Sequence, residues 1–181
     1  MKKFMTYLLI FTALLLWGCG NREVQETEAV VTEIISEPGK IRFIFDSDWT
    51  VSREGVQEDI LSRKLEEDEL IAVNAISGSS ISLVYEDLTE IQGGTLVRME
   101  DYVEAYWEKL KTDSSYSYNC TEPEMAQLYG EEYYTFAAEV SELEANQQFY
   151  LRRIGDRVMI LTFTAYGEER AENLMEYGSS L

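Results

Sequence analysis

Residues 147–165 constrain the fold more tightly than any other stretch of the chain. Gln147 to Ile154 and Arg157 to Ala165 read as two strands joined by Gly155-Asp156, a two-residue loop with glycine first, which suits a type II′ hairpin turn. Such a turn fixes the register, and alternation along each strand then sorts the side chains. Met159, Leu161, Phe163 and Ala165 fall on one face of the second strand. Val158 and Ile160 fall on the other, beside Phe149 and Leu151. Both faces are apolar, so both need covering.

Other segments supply strands and cover. Ile41 to Phe45 alternates as a strand, and Asp46-Ser47-Asp48 turns into Trp49-Thr50-Val51. Leu70 to Ile76, Ile81 to Tyr85 and Tyr133 to Val140 read as further strands, with Tyr134, Phe136, Ala138 and Val140 sharing a face. Ile60 to Leu65 reads as a short helical turn, and Tyr116 to Leu128 as extended chain around Pro123. The clearest helix is Met99 to Lys111. Met99, Tyr102, Val103, Tyr106 and Leu110 recur at helical spacing, with acidic residues near the start and lysines near the end, as the helix dipole favours. A second helix is expected from Glu168 to about Tyr177, with Ala171, Leu174, Met175 and Gly178 as its apolar stripe. The sum is an α+β class: one antiparallel sheet with helical cover on both faces, in a single domain over residues 40–181.

This layout resembles the Mog1/PsbP-like fold shared by many small bacterial lipoproteins. The residues that carry the likeness are the opening strand into Asp48-Trp49-Thr50-Val51, the helix Glu100 to Lys111, the hairpin at Gly155-Asp156 and the terminal helix. The resemblance implies an accessory, binding or assembly role and brings no catalytic signature with it.

Residues 1–19 address the chain. Lys2 and Lys3 precede an apolar run from Phe4 to Trp17, which is short for a membrane span and flanked like a signal peptide. Leu16-Trp17-Gly18-Cys19 then resembles a bacterial lipobox, with Trp17 in a slot usually held by a smaller residue. The resemblance implies a signal peptide over 1–18, cleavage after Gly18, and lipid transfer to the Cys19 sulfur, with palmitate among the acyl chains. A plain secretory signal or an uncleaved anchor is the alternative. Residues 19–39, beginning polar and acidic and ending at Pro38-Gly39, read as a tether averaging roughly 25 Å if flexible, with a short helix or strand at Val30-Val31 and Ile34-Ile35 as the alternative. The expected location is the extracytoplasmic face of a cell membrane, held by the lipid anchor.

Charge and composition narrow the functions. Removing residues 1–18 leaves 13 basic against 34 acidic residues, so the mature chain carries about −21. Such a surface repels nucleic acid, which is excluded as a partner; a protein or glycan partner stays open. The chain has no histidine, which removes His-based nucleophile activation and His-ligated metals. With Cys19 acylated, Cys120 has no partner for a disulfide and reads as a half-buried strand cysteine.

No residue set compels a catalytic, cofactor or metal assignment, and none is made; the expected function is a non-enzymatic accessory or binding module. The alternative is a carboxylate-based calcium-binding or hydrolytic envelope protein. Asp46-Ser47-Asp48 opens like a calcium loop, but Val51 stands where glycine is needed, so an ordinary turn is expected. Glu66-Glu67-Asp68-Glu69 reads as a solvated loop. Tyr116, Tyr118, Tyr129, Tyr133 and Tyr134 crowd one region and suggest either a binding platform or strand packing, with packing preferred.

Overall fold

The structure is a computed structural model and describes residues 31–58, 63–90, 96–113 and 115–181. The expected signal peptide over 1–18, Cys19 and most of the expected tether over 19–39 lie outside these residues.

The central layer is one antiparallel sheet. Its path runs β3 (Trp49–Ser52), β6 (Leu70–Asn74), β7 (Ser80–Asp87), β12 (Arg157–Tyr166), β11 (Ala145–Ile154), β10 (Glu131–Val140) and β8 (Tyr118–Cys120), with β9 (Glu124–Leu128) also pairing β10. A short ribbon of β4 (Gln57–Glu58) and β5 (Arg63–Lys64) lies outside it, where a helical turn was expected to reach Leu65. The β11–β12 hairpin closes on Gly155, whose φ of 61° is the conformation glycine adopts without a steric penalty. Its register pairs Leu151 with Ile160 and Phe149 with Thr162, as the turn requires.

Two separate cores form on the two faces, sorted by that alternation. Met159, Leu161, Phe163 and Ala165 enter one, together with Ile81, Leu83, Tyr133 and Tyr150. Val158, Ile160, Phe149 and Leu151 enter the other, with Phe136 and Ala138. Helix α1 (Met99–Lys111) covers the second face, inserting Val103 and laying Met99, Tyr102, Tyr106, Trp107 and Leu110 against it. Trp107 Nε1 donates to Thr121 O at 2.8 Å, and the Lys111 ammonium sits 3.6 Å over the indole ring.

The cover on the first face departs from the expected helix. It is a second, three-stranded sheet, β1 (Thr32–Ser36), β2 (Ile41–Phe45) and β13 (Gly178–Ser180), beside a 3₁₀ helix over Ala171–Tyr177. Ile34, Ile41, Phe43 and Phe45 point inward from this sheet and are buried. Three-residue repetition explains the tighter helix. Ala171 and Leu174 superpose at 3₁₀ spacing, both are buried, and Gly178 then leaves the helix as strand. Gly178 is required there because a Cβ would overlap the Tyr129 side chain.

Strand β1 also corrects the tether. Residues 32–36 were expected within the span 19–39, yet they pair with β2 from Thr32↔Phe45 to Ser36↔Ile41. Ile34 and Ser36 alternate inward, so the folded body includes residues 32–36 as well as 40–181. Among the described residues no helix is long and apolar enough to cross a membrane.

Candidate functional site

Strand β7 outruns its neighbour β6, and the cleft forms where it does. β6 pairs only with Ser80 to Leu83, which leaves the backbone of Tyr85 without a strand partner on that side. The Glu69 carboxylate takes the place of one. Its Oε1 accepts the Tyr85 N–H at 2.8 Å, and Arg63 Nη2 donates to Tyr85 O at 3.4 Å. Arg63 in turn grips Glu69 with two parallel bonds of 2.6 Å each, and the Glu66 N–H donates to Glu69 Oε2 at 2.8 Å. A two-sided Arg–carboxylate bond of this geometry is among the strongest polar contacts proteins make.

Glu69 is therefore buried, at 1% exposure, and the expectation of a solvated four-residue acidic loop is corrected. Burial alone pushes a carboxyl upward. Here the Arg63 guanidinium and the two backbone donors outweigh burial, and Glu69 is held below the ordinary glutamate value. Arg63 is raised by the same bond.

Around this pair lies a cleft of about 560 Å³, lined by Arg63, Glu66, Val84, Tyr85, Glu86, Asp87, Glu90, Tyr106, Arg157 and Ile160. Arg157 lies 4.4 Å from the centre of the Tyr85 ring, within cation–π range. A smaller and more apolar hollow of about 270 Å³ adjoins it under α1, sharing Glu86 and Tyr106. The Tyr102 hydroxyl donates to Glu86 across the junction. Burial, then the contact with Glu86, raises the Tyr102 phenol, and burial raises that of Tyr106. Both stay protonated at any ordinary pH, so neither serves as a base.

The cleft thus offers two guanidiniums that already have partners and a surplus of carboxylates. That suits a basic group on a partner better than an anion. Sequence reasoning missed this constellation. Its only advance trace was Arg63 six residues before Glu69, since four adjacent acids do not reveal which one turns inward.

The other candidates fall as follows. Asp46 Oδ1 accepts the Asp48 N–H at 2.9 Å, which is the ordinary turn expected there. Among the described residues no group of three or more acidic, cysteine or histidine side chains is arranged to hold a metal ion. The five tyrosines do not assemble into a platform. Tyr129 and Tyr133 pack on one core, Tyr118 and Tyr134 on the other, and Tyr116 alone is well exposed. Cys120 is half-buried at the end of β8, with its thiol raised by burial. Cys19, the expected lipid attachment point, lies outside the described residues.

No protein-family model matches this sequence, and no curated protein matches it either. Solved structures do. A protein from Bacteroides thetaiotaomicron aligns at 15% identity over 82% of this chain and 48% of its own, with a TM-score of 0.32. The solution structure of cyanobacterial PsbP (CyanoP) from Synechocystis sp. PCC 6803 aligns over 92% of this chain and 99% of its own, at 13% identity and a TM-score of 0.55. The chain is similar in fold to that protein.

Proposed function

We propose that the chain is a lipid-anchored accessory or binding module at the extracytoplasmic face of a bacterial membrane, with no catalytic step of its own. One observation carries this reading: Leu16-Trp17-Gly18-Cys19 closes a short apolar run twelve residues ahead of strand β1. The PsbP-like fold supports the accessory half, because the resemblance implies accessory, binding or assembly roles. The cleft beside the Arg63–Glu69 pair is the docking surface. Its outward carboxylates, Glu66 and Glu90, receive basic side chains of a protein partner.

Lipid on Cys19 supplies the membrane attachment, since a chain of about −21 gains nothing from anionic headgroups. Fractionation of cells expressing Cys19→Ser tests the anchor. The variant leaves the membrane pellet and loses incorporated palmitate; a variant that stays in the pellet overturns the reading. Pull-down from intact membranes tests the cleft. Glu66→Lys with Glu90→Lys releases the partner held by the native protein, and unchanged recovery removes the cleft from the account.

A further inference from the structure

The three-stranded sheet has an outer side that no other element covers among the described residues, and it carries exposed aliphatic side chains. Alternation places Glu33 and Ile35 of β1 and Arg42 and Ile44 of β2 on that side, opposite the buried Ile34, Ile41, Phe43 and Phe45. Val31 continues the alternation one residue pair earlier. At the rim, the Leu181 N–H donates to Lys40 O. Val31, Ile35, Ile44 and Leu181 are 54%, 39%, 46% and 49% exposed. They are four of the twelve large hydrophobic side chains so exposed among the described residues.

The charge of this side is just as distinct. Arg42 and Glu33 meet at 3.1 Å and cancel on the sheet side itself, while Lys40 at the β1–β2 turn pairs with Glu131 at 2.8 Å. In a mature chain where acids outnumber bases 34 to 13, a neutral side with aliphatic points is the one least repelled by anionic headgroups.

Chain length supplies the occupant. Twelve residues separate Cys19 from Thr32, and fully extended they reach at most about 40 Å. That is comparable to the width of the folded body itself, roughly twice a radius of gyration of about 15 Å. A lipid on Cys19 therefore keeps the N-terminal end of β1 within about 40 Å of the bilayer, close enough for its side of the sheet to reach the lipid surface.

Resting on the anchored reading, we infer that the outer side of the β1–β2–β13 sheet lies on the lipid surface, with Ile35 and Ile44 entering the headgroup boundary. Contact of this kind fixes the orientation of the body relative to the bilayer, and with it the direction in which the cleft opens. Shallow aliphatic insertion adds to acyl anchoring without needing a basic patch.

The test uses the full-length lipidated protein in phosphatidylcholine vesicles containing phosphatidylglycerol, in a Cys120→Ser background. An environment-sensitive fluorophore is placed at Ile44→Cys, and in a separate sample at Leu143→Cys on the far β10–β11 turn. Vesicles with quencher-labelled acyl chains are expected to quench the label at 44 severalfold more than the label at 143. Ile35→Glu in the Ile44→Cys protein should abolish that difference while the protein still floats with the vesicles and keeps its far-ultraviolet spectrum. Equal quenching at 44 and 143 in a protein that floats overturns the contact and leaves the anchor standing. Shielding of the label at 44 that grows with protein concentration and is indifferent to quencher lipid overturns it in favour of a second copy. A lipidated preparation that does not float removes both the anchor and the contact.

Discussion

Glu69 is the residue on which the cleft depends, and its environment makes definite demands. Its carboxylate accepts four hydrogen bonds, two of them from Arg63. Glu69→Gln leaves the guanidinium without its counter-charge. Arg63 is 36% exposed and regains some water, so the expected loss is about 2–3 kcal/mol, below that of a fully buried pair. Because folding lowers the Glu69 pKa from the ordinary 4.5, the stability it contributes is complete above that value and drains as pH falls through the lower folded one. Thermal melts between about pH 6 and pH 3 should show a steeper acid loss for the native protein than for Glu69→Gln; parallel curves would show that the pair is not linked to folding. Cys120 offers a second check at this scale. Its thiol is half-buried and raised, so alkylation at neutral pH should be slow in the native protein and fast in denaturant.

At the scale of elements, the covering sheet is where sequence and structure part. Ile34 is 3% exposed, so Ile34→Ala should cost about 2–4 kcal/mol in a denaturant titration, whereas a residue in a tether would cost nothing measurable. Gly178→Ala should destabilise as well, because the new methyl displaces the Tyr129 ring and its 2.6 Å hydrogen bond to Met175 O. The central strands and α1 were legible because each has a strong local period: two for Met159 to Ala165, and 3.6 for Met99 to Leu110. β1 and β13 have no such local signature. Five residues holding Ile34 and Ile35 side by side do not say which isoleucine turns inward, and Gly178, placed on the helical stripe by its spacing, turns out to open a strand paired with Phe43. The same limit hid the site. Arg63 reaches Glu69 only after β5 and β6 have been folded beside the end of β7, a nonlocal arrangement that spacing alone does not encode.

The whole molecule is a two-core body with a large negative charge, and both facts have consequences. Self-repulsion opposes the folded state, and raising ionic strength from about 0.01 M to about 0.1 M shortens the screening length from about 30 Å to about 10 Å. The melting temperature should therefore rise with sodium chloride over that range; a fall would mean that ion pairs outweigh repulsion in this body. On the proposed anchored reading, charge leaves acyl chains as the means of attachment, which makes the N-terminus of the membrane-bound chain the decisive object. Trypsin cleaves after Arg22, so mass spectrometry of the membrane fraction reads it in one short peptide. The account predicts Cys19-Gly20-Asn21-Arg22 carrying diacylglycerol on its sulfur. A membrane-recovered chain that begins at Met1, or whose Cys19 is unmodified, would contradict it.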